Sequence, residues 1–355
     1  MTLRVKVDGS FVETGGAGGA EADEFGWVRP ADWLALPAVG ESEQKFVGLY
    51  AVTDDDSNFL SLLARGAYTV DWGDGTVEDV ADNVQANHLY DYSTIGAETL
   101  SSRGYKQVIV TVTPQSGSNL TTVNLNQRHP TMTRAYNVPW LDITVGSPNL
   151  TTLQLYTTLV NLYSVEQVTI KSHAMTSMAS MFRELRGLQS VPLFDTAIVT
   201  TMRDMFNGCS SLQTVPLFNT VGVTDMRSAF QNCTSLQSVP LFNTTSCTVF
   251  TWTFRLCTSL SSVSAINMAG LAATNQQMFI DCPSLASISA TGIKVTFSVV
   301  NCKLSRTALV EVFTNLADLT GLTAQTITIT GNWGIADLTA NDRLIATNKN
   351  WTLVE

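Results

Sequence analysis

The sequence predicts a solenoid of stacked α/β repeats, with a parallel β ladder and short helices, preceded by a small all-β sandwich. Three observations lead to this prediction. Cys209, Cys233, Cys257 and Cys282 are spaced 24, 24 and 25 residues apart, and such a fixed spacing is a repeat period. Hydrophobic columns share this period, and strand-like alternation of apolar and polar residues marks the first third of the 355-residue chain.

The repeat contains three apolar columns. They are Phe182, Phe206, Phe230, Phe254 and Phe279; Leu188, Leu212, Leu236, Leu260 and Leu285; and Val191, Val215, Val239, Val263 and Ile288. We interpret each unit as a short helical turn (Met-x-x-Met-Phe) followed by an extended segment, Leu-x-x-Val-x-Leu, whose Leu, Val and Leu point inward. One such unit cannot bury its apolar side alone, so stacked units share a continuous core.

Proline and cysteine occupy further columns. Pro192, Pro216 and Pro240 predict strands of three or four residues that end at the proline, because proline lacks the ladder donor. Two later units have Ser264 and Ser289 at that position. We interpret the cysteines as buried free thiols in crowded turns; a disulfide between successive units is the alternative.

The segment from Val223-Thr224-Asp225-Met226 through Phe230, Cys233, Ser235 and Leu236 resembles the BspA-like leucine-rich repeat. The resemblance covers residues 172–302. It implies a leucine-rich-repeat solenoid and a surface-exposed binding or adhesion protein rather than an enzyme. Residues 303–355 have the helix and strand patterns of a C-terminal cap. Within residues 118–171, segments 119–125, 149–155 and 165–170 alternate as strands do but lack the Met-Phe turn. We expect them to form irregular entry coils that cap the other end of the solenoid.

Residues 46–52, 67–72 and 104–114 alternate as half-buried strands. Between them lies Trp72-Gly73-Asp74-Gly75, followed later by His88-Leu89-Tyr90. Glycines permit the positive φ of a tight hairpin, and Asp74 is expected to bond back to the turn. This pattern resembles the PKD-type β-sandwich, which implies a spacer or binding module over residues 46–117.

Residues 1–45 are predicted to form a docking segment. They contain a short strand pair, a Gly/Ala tether at residues 15–20 and an extended segment that carries Trp27 and Trp33. Tryptophans are frequent anchors of interfaces. We therefore expect Trp27 and Trp33 to hold this segment on another protein.

Charge and hydropathy exclude several classes of protein. The first 117 residues carry 18 acidic and 7 basic side chains, and the remaining residues carry 12 and 13. An acidic third and a neutral remainder do not bind phosphate backbones, so nucleic acid is not an expected partner. The apolar runs are too short to span a bilayer, and the first residues lack the pattern of an export signal. We therefore expect neither membrane insertion nor secretion.

The sequence contains no P-loop, HExxH, GxSxG or paired CxxC motif. We predict no catalytic residues, no metal site and no cofactor. An alternating oxygen pattern at Asp54, Asp56 and Asn58 leaves a calcium loop open as an alternative to a solvated acidic loop, but the glycine and closing glutamate of a helix-loop-helix calcium site are missing.

Taken together, the modules indicate a structural and adhesion protein of a bacteriophage virion, such as a tail fibre, head fibre or decoration protein, which docks by its N-terminus. The alternative is a bacterial cell-surface adhesin. Expected partners are other virion proteins, a host surface glycan or protein, and further copies of the chain. The predicted ligand-binding residues are Gln189, Gln213, Thr214, Gln237 and Ser238 on the strand face, and Arg203 and Arg227 on the turns. A merely solvated face, or one packed on a neighbouring subunit, is the alternative for these rows.

Overall fold

The computed structural model describes residues 5–7, 10–12, 27–54, 58–131, 139–155, 164–272 and 277–355. Within these ranges the chain forms a two-stranded sheet of β-strands at residues 5–7 and 10–12, two larger sheets, and then a β-solenoid of about eight turns. The predicted solenoid is therefore confirmed. The predicted Gly/Ala tether at residues 15–20 lies outside the described residues.

The described part of the chain up to residue 171 is built from strands joined by turns. Two single-turn 3-10 segments, Tyr92–Thr94 and Ala97–Thr99, connect the seventh and eighth strands. The strands are β1 (Val5–Val7), β2 (Ser10–Val12), β3 (Lys45–Val52), β4 (Phe59–Arg65), β5 (Tyr68–Asp71), β6 (Val77–Val80), β7 (Gln85–Leu89), β8 (Lys106–Pro114), β9 (Thr122–Asn124), β10 (Trp140–Gly146), β11 (Thr152–Gln154) and β12 (Gln167–Ile170).

Two sheets pack around one core. The order of the six-stranded sheet is β12-β10-β3-β8-β5-β6, and that of the four-stranded sheet is β11-β9-β4-β7. Tyr50, Tyr68, Trp72 and Trp140 are fully buried in the core that the two sheets share. Strands β3, β5 and β8 confirm the three predicted strands, but β3 is buried along almost its whole length and so is not half-buried. Strands β4 and β10, which are also buried almost throughout, were not predicted.

The sheets lead directly into the solenoid. Strand β10 pairs antiparallel with β3 on one side and parallel with β12 on the other. In the second sheet, β9 pairs antiparallel with β4 and parallel with β11. Strands β9, β11 and β12 lie in the three segments of residues 118–171 whose alternation is typical of strands, whereas β10 was not predicted. Strands β9 and β10 each pair with one strand of the antiparallel sheets, and β11 and β12 then pair with them in parallel as the next strands of the solenoid.

The Met-Phe segment of each repeat does not form the predicted helical turn. The described part of residues 172–302 contains no helix, and the segment is a chain of overlapping turns. The amides of Met178, Ser180 and Phe182 donate to carbonyl oxygens 23 residues further on, in the next coil, at 3.0, 2.8 and 2.9 Å. The intervening amides of Met181 and Arg183 donate three residues back, at 3.3 Å each. An α-helix would pair all of these amides within the segment. The overlapping turns pair only alternate amides locally, and the others donate to the neighbouring coil.

Positive φ angles recur within these turns. Two residues before and two residues after each column phenylalanine from Phe182 to Phe254, the backbone is left-handed; beside Phe279, only Asp281 is, among the described residues. The eight positions beside Phe182 to Phe254 are Ser180, Glu184, Asp204, Gly208, Ser228, Asn232, Trp252 and Leu256, with φ between 53° and 83°. Only one of the eight is glycine, although non-glycine residues rarely adopt this conformation. Stacking of the coils therefore imposes a backbone that the side chains themselves disfavour.

Strands of three or four residues were predicted before each proline, but the repeats that contain proline form no strand in the described residues. The described residues between β12 and Ser262 contain isolated parallel bridges, such as Thr201 with Asp225, but no strand. Where serine replaces proline, a true parallel ladder forms between β13 (Ser262–Asn267) and β14 (Ser287–Thr291). These strands contain Ser264 and Ser289. The missing proline donor thus explains where the ladder is interrupted.

Aromatic stacking runs along the solenoid axis. Successive rings of the phenylalanine column lie 5.1, 5.5, 5.5 and 5.5 Å apart from Phe182 to Phe279, and the rings become nearly parallel toward Phe279. The Leu188 to Leu285 column is buried throughout, as predicted. A second column of buried rings was missed: Phe194, Phe218 and Phe242.

All six cysteines are free and buried, which confirms their interpretation as thiols of the core. The thiols of Cys209, Cys233 and Cys257 each donate to the carbonyl oxygen of a phenylalanine in the preceding coil, at 2.9, 3.1 and 3.0 Å. Burial raises the pKa of these thiols well above the usual value, and raises the pKa of Cys247 and Cys282 to about 12. The column therefore joins adjacent coils by hydrogen bonds.

A helical cap covers the last coil, as predicted for residues 303–355. Its elements are β15 (Phe297–Ser298), α1 (Arg306–Asn315), β16 (Gln325–Thr328), a 3-10 segment (Trp333–Asp337), α2 (Ala340–Thr347) and β17 (Trp351–Val354). Helix α2 begins with a capping box between Thr339 and Asp342, and Arg306 of α1 donates to both carboxylate oxygens of Asp342 at 2.8 and 3.0 Å. Hydrogen bonds from Arg306 and Thr339 hold the pKa of Asp342 well below its usual value.

The stacked rings generate a stability prediction. We expect Phe230→Ala to lower the free energy of unfolding by about 3–5 kcal/mol, because it opens a cavity between two stacked neighbours. Chemical denaturation measures this change. Leu217→Ala is the matched control, since Leu217 lies in the same repeat array but is 58% exposed; it should change stability by less than about 1 kcal/mol. Equal effects of the two substitutions would contradict the assignment of the core.

The cap generates a pH prediction. Because the pKa of Asp342 is lower in the folded chain, its ionised form stabilises the fold above the unfolded pKa of about 4. That contribution is lost as the pH falls from about 4 through the lower pKa of the folded state. We expect Asp342→Asn to lower the melting temperature at pH 7. The difference from the parent should narrow at pH 2, as measured by circular dichroism; a difference independent of pH would show that the charge of Asp342 contributes nothing.

Candidate recognition surface

The predicted amide and hydroxyl row lies on one side of successive coils. The amide of Gln213 donates to the carbonyl oxygen of Gln189 at 3.3 Å, and the amide of Gln237 donates to that of Gln213 at 3.1 Å. Equivalent side chains therefore follow one another at the spacing of the coils. Gln213, Gln237 and Ser238 are exposed, Thr214 and Gln189 are half-buried, and Ser190 is buried. The accessible part of the row is its central and C-terminal part.

A shallow groove of about 360 Å³ runs beside this row. It is lined by Leu193, Thr214, Val215, Pro216, Leu217, Ser238, Val239 and Pro240. Two of the predicted ligand residues, Thr214 and Ser238, thus lie in the same depression as an apolar surface. The sequence interpretation did not identify this groove.

The groove exists because the last leucine of each repeat points outward. Leu193, Leu217 and Leu241 are 47, 58 and 60% exposed, so their predicted inward orientation is wrong. The phenylalanine that follows each leucine is buried instead. The Pro-Leu-Phe order was the available signal, since the larger aromatic side chain gains more by burial than the leucine does.

Two backbone amides along the groove have no hydrogen-bond acceptor among the described residues. Pro216 has no N–H group, and the amides of Thr214 and Leu217 donate to no acceptor within the described ranges. Unpaired amides, exposed hydroxyls and side-chain amides therefore surround an apolar ridge. This combination suits a ligand that has both apolar patches and many hydroxyl groups.

The predicted arginine row lies on a different stretch of each coil. Arg203 is exposed and forms an ion pair with Asp204 at 3.3 Å, whereas Arg227 is half-buried. The backbone amide of Arg227 donates to the Asp225 carboxylate at 2.8 Å. Both arginines belong to the turn segment, and no hydrogen bond or ion pair joins them to the glutamine row in the described part of the chain. The structure therefore separates the two predicted rows.

Trp27 and Trp33 lie inside the protein. They are 8 and 4% exposed and pack on Leu49, Ala51 and Leu141 of the six-stranded sheet. The indole N–H of Trp33 donates to the Tyr105 hydroxyl at 2.9 Å. The two rings cover the outer face of their own sheet, so neither is presented at the surface as the predicted anchor of a partner.

Arg29 fastens this segment to the sheet. Its guanidinium donates to the carboxylate of Asp142 at 2.8 Å and to the backbone oxygens of Trp33 and Leu34 at 3.0 and 2.6 Å. Burial raises the pKa of Asp142, although the bond from Arg29 opposes this shift. The segment from Trp27 to Leu34 is therefore an integral part of the first domain.

The residues around the Gly73–Gly75 turn form one cluster. The His88 ring stacks on Trp72 at 4.9 Å, and His88 Nε2 lies 2.7 Å from the Asp74 carboxylate. The Tyr90 hydroxyl donates to the carbonyl oxygen of Trp72 at 2.9 Å. Burial raises the pKa of Asp74, but bonds from His88 and Thr76 outweigh it and leave the pKa below its usual value. The predicted bond of Asp74 back to its turn is present, since the Thr76 amide donates to Asp74 at 3.0 Å.

The open calcium alternative receives no support from Asn58. Its side-chain oxygen accepts from the Thr53 amide at 2.8 Å, and its side-chain nitrogen donates to the Thr53 carbonyl at 2.5 Å. Asp56 lies outside the described residues. Among the residues that are described, no group of three or more His, Cys, Asp or Glu side chains is arranged to hold a metal ion. No helix among them is long and apolar enough to cross a membrane.

The repeat array is similar to one known family. Residues 176–290 match a family described as "Mycoplasma protein of unknown function, DUF285". The match covers about a third of the chain and falls within the stacked coils. No curated protein matches the chain. The family match and the solenoid together agree with the BspA-like repeat that the columns predict.

Proposed function

We propose that this protein is a non-enzymatic recognition protein that presents its repeat surface to a host cell. One observation is the main support: an exposed row of amides and hydroxyls lies beside an apolar groove, and both repeat with the coils. Repetition of identical contacts allows several weak bonds to act on one extended ligand. A polysaccharide or a repetitive surface protein has the matching periodicity.

We place this function on a bacteriophage virion, as a fibre or decoration protein. The order of modules supports this setting: an N-terminal docking segment, a PKD-like spacer and a BspA-like array. The contacts among Trp72, Asp74, His88 and Tyr90 support the PKD-like part, because they bring together the residues that carry the resemblance. The chain would form homo-oligomers and contact other virion proteins.

A bacterial cell-surface adhesin is the second candidate. The description of the matching family as a mycoplasma protein favours it. Mass spectrometry of purified phage particles and of bacterial envelopes separates the two candidates. The protein should occur at a fixed copy number in particles; its presence only in envelopes would favour the adhesin.

The recognition surface generates the next prediction. We expect the triple variant Gln213→Ala, Gln237→Ala, Ser238→Ala to keep a stability within about 1 kcal/mol of the parent, since all three side chains are exposed. Its adsorption to host cells should fall at least tenfold, as measured by residual titre or by labelled protein. Ser246→Ala is the control, because Ser246 is exposed on another stretch of the array. Unchanged adsorption of the triple variant would overturn the assignment of this face.

The docking proposal is tested with a deletion that spares the segment folded onto the sheet. Removal of residues 1–26 retains Trp27, Arg29 and Trp33, and therefore retains the cover over Leu49 and Leu141. We expect the shortened protein to melt within about 2 °C of the parent but to be lost from particles in a complementation assay. Normal incorporation would locate docking elsewhere in the chain.

A further inference from the structure

The C-terminal cap presents an exposed tryptophan on a rigid base. Trp333 is 70% exposed, the largest exposed fraction among the large apolar side chains in the described ranges. The ring belongs to the 3-10 segment that packs beside the start of α1. Trp351, also in the cap, is by contrast 3% exposed and donates its indole N–H to the Ala317 carbonyl. Burial of Trp351 thus serves the fold, whereas exposure of Trp333 does not.

Both neighbours of Trp333 are fixed. The buried side chain of Asn332 donates to the carbonyl oxygens of Val299 and Ile329, at 2.7 Å each, and accepts from the Leu304 amide at 3.0 Å. On the other side, a Cβ atom on Gly334 would lie 2.0 Å from the backbone nitrogen of Arg306, so only glycine fits there. The base of Trp333 is therefore preorganised, which lowers the entropy lost on binding.

One cation lies over the Trp333 ring, and further polar groups lie on the neighbouring stretch of the chain. The Lys303 ammonium lies 4.5 Å from the centre of the Trp333 ring. Asn301, two residues before Lys303, lies beside Gly331, two residues before Trp333, and its side-chain nitrogen donates to the Asp281 carboxylate at 2.8 Å. An aromatic platform, an ammonium, an amide and a carboxylate thus lie along adjacent stretches of the last coil and the cap.

We propose that the cap holds a second binding site, built on Trp333, for a neutral pyranose sugar. The hydrogen-bearing face of a pyranose carries partial positive charge and packs on the negative face of an aromatic ring. Its neighbouring hydroxyls both donate and accept, so they match the carboxylate of Asp281, the amide of Asn301 and the ammonium of Lys303.

The size of the platform also favours a sugar over a protein partner. One aromatic side chain buries about 150–250 Å², whereas stable protein complexes bury about 1,200–2,000 Å². The group that lies over the ring is the Lys303 ammonium rather than an apolar side chain. A monosaccharide unit of a longer chain fits this area. This proposal rests on the proposed recognition function, because it assumes a protein that binds surface ligands. The site itself lies on the cap, away from the glutamine row.

Affinity electrophoresis tests the proposal with the full-length protein. The protein is run in native gels that contain dextran, mannan or galactan, with polygalacturonate as the acidic comparison. We expect retardation by at least one neutral polymer and at least tenfold weaker apparent affinity for Trp333→Ala, with a severalfold loss for Asn301→Ala. Trp252→Ala is the matched control, since Trp252 is 39% exposed on the array; its affinity should stay within twofold. Melting temperatures of all variants verify that they are folded.

The outcomes separate this site from the array face. Absence of retardation by all three neutral polymers overturns the proposal, as does equal retardation of Trp333→Ala and the parent, or an equal loss for Trp252→Ala. The triple variant at Gln213, Gln237 and Ser238 should be retarded like the parent. If the parent adsorbs to cells but is not retarded, the cap site fails while the recognition function stands. If it is retarded but does not adsorb, the cap site stands and the recognition function fails.

Discussion

Hydrogen bonding between coils is the constraint on which the array depends. In the Met-Phe segment, alternate amides donate forward to the next coil, and the amides between them close local turns. Neither set satisfies the backbone alone, and buried unpaired amides would be costly. The left-handed residues at Ser180, Glu184 and their equivalents follow from this arrangement, because they turn alternate amides toward the neighbour. One isolated repeat would have no reason to adopt this backbone.

The same constraint explains the two ends. A coil at either end leaves one row of backbone groups without a partner. At the start, strands β3 and β4 of the antiparallel sheets pair with β10 and β9, which are the first rungs of the ladder. At the other end, the amides of Val299 and Asn301 donate to Thr328 and Thr330, and β16 pairs in turn with β17. The N-terminal sheets are therefore part of the support of the solenoid as well as a separate module.

Features that recur in every repeat could be predicted from the sequence. The choice between two adjacent apolar residues within one repeat, or between two hydrogen-bond patterns of one segment, could not. The Phe and Leu columns recur at a fixed spacing, and this spacing alone indicates a shared core. Whether Leu217 or Phe218 turns inward cannot be decided by periodicity, since both are apolar and adjacent; the proline before them removes the regular alternation. The turns were mistaken for helix because Met-x-x-Met-Phe has the spacing of one helical turn, and the competing hydrogen bonds come from a coil 23 residues away.

Trp27 and Trp33 show a related limit. Tryptophans in a glycine-rich terminal region are typical of interfaces. Their packing on Leu49 and Leu141 could be predicted only by knowing which face of the sheet has no other cover.

The candidate binding residues are less constrained by the fold than the core residues are. Across the coils, the position three residues before the column phenylalanine holds Ala179, Arg203, Arg227 and Thr251, so the backbone ladder tolerates any side chain there. Stacking thus fixes the core columns and leaves the outward rows free to vary. Trp333 is neither a core residue nor part of an outward row of the array. Packing fixes the residues on both sides of it, whereas its ring is exposed to solvent. This contrast is the reason to assign a ligand to Trp333.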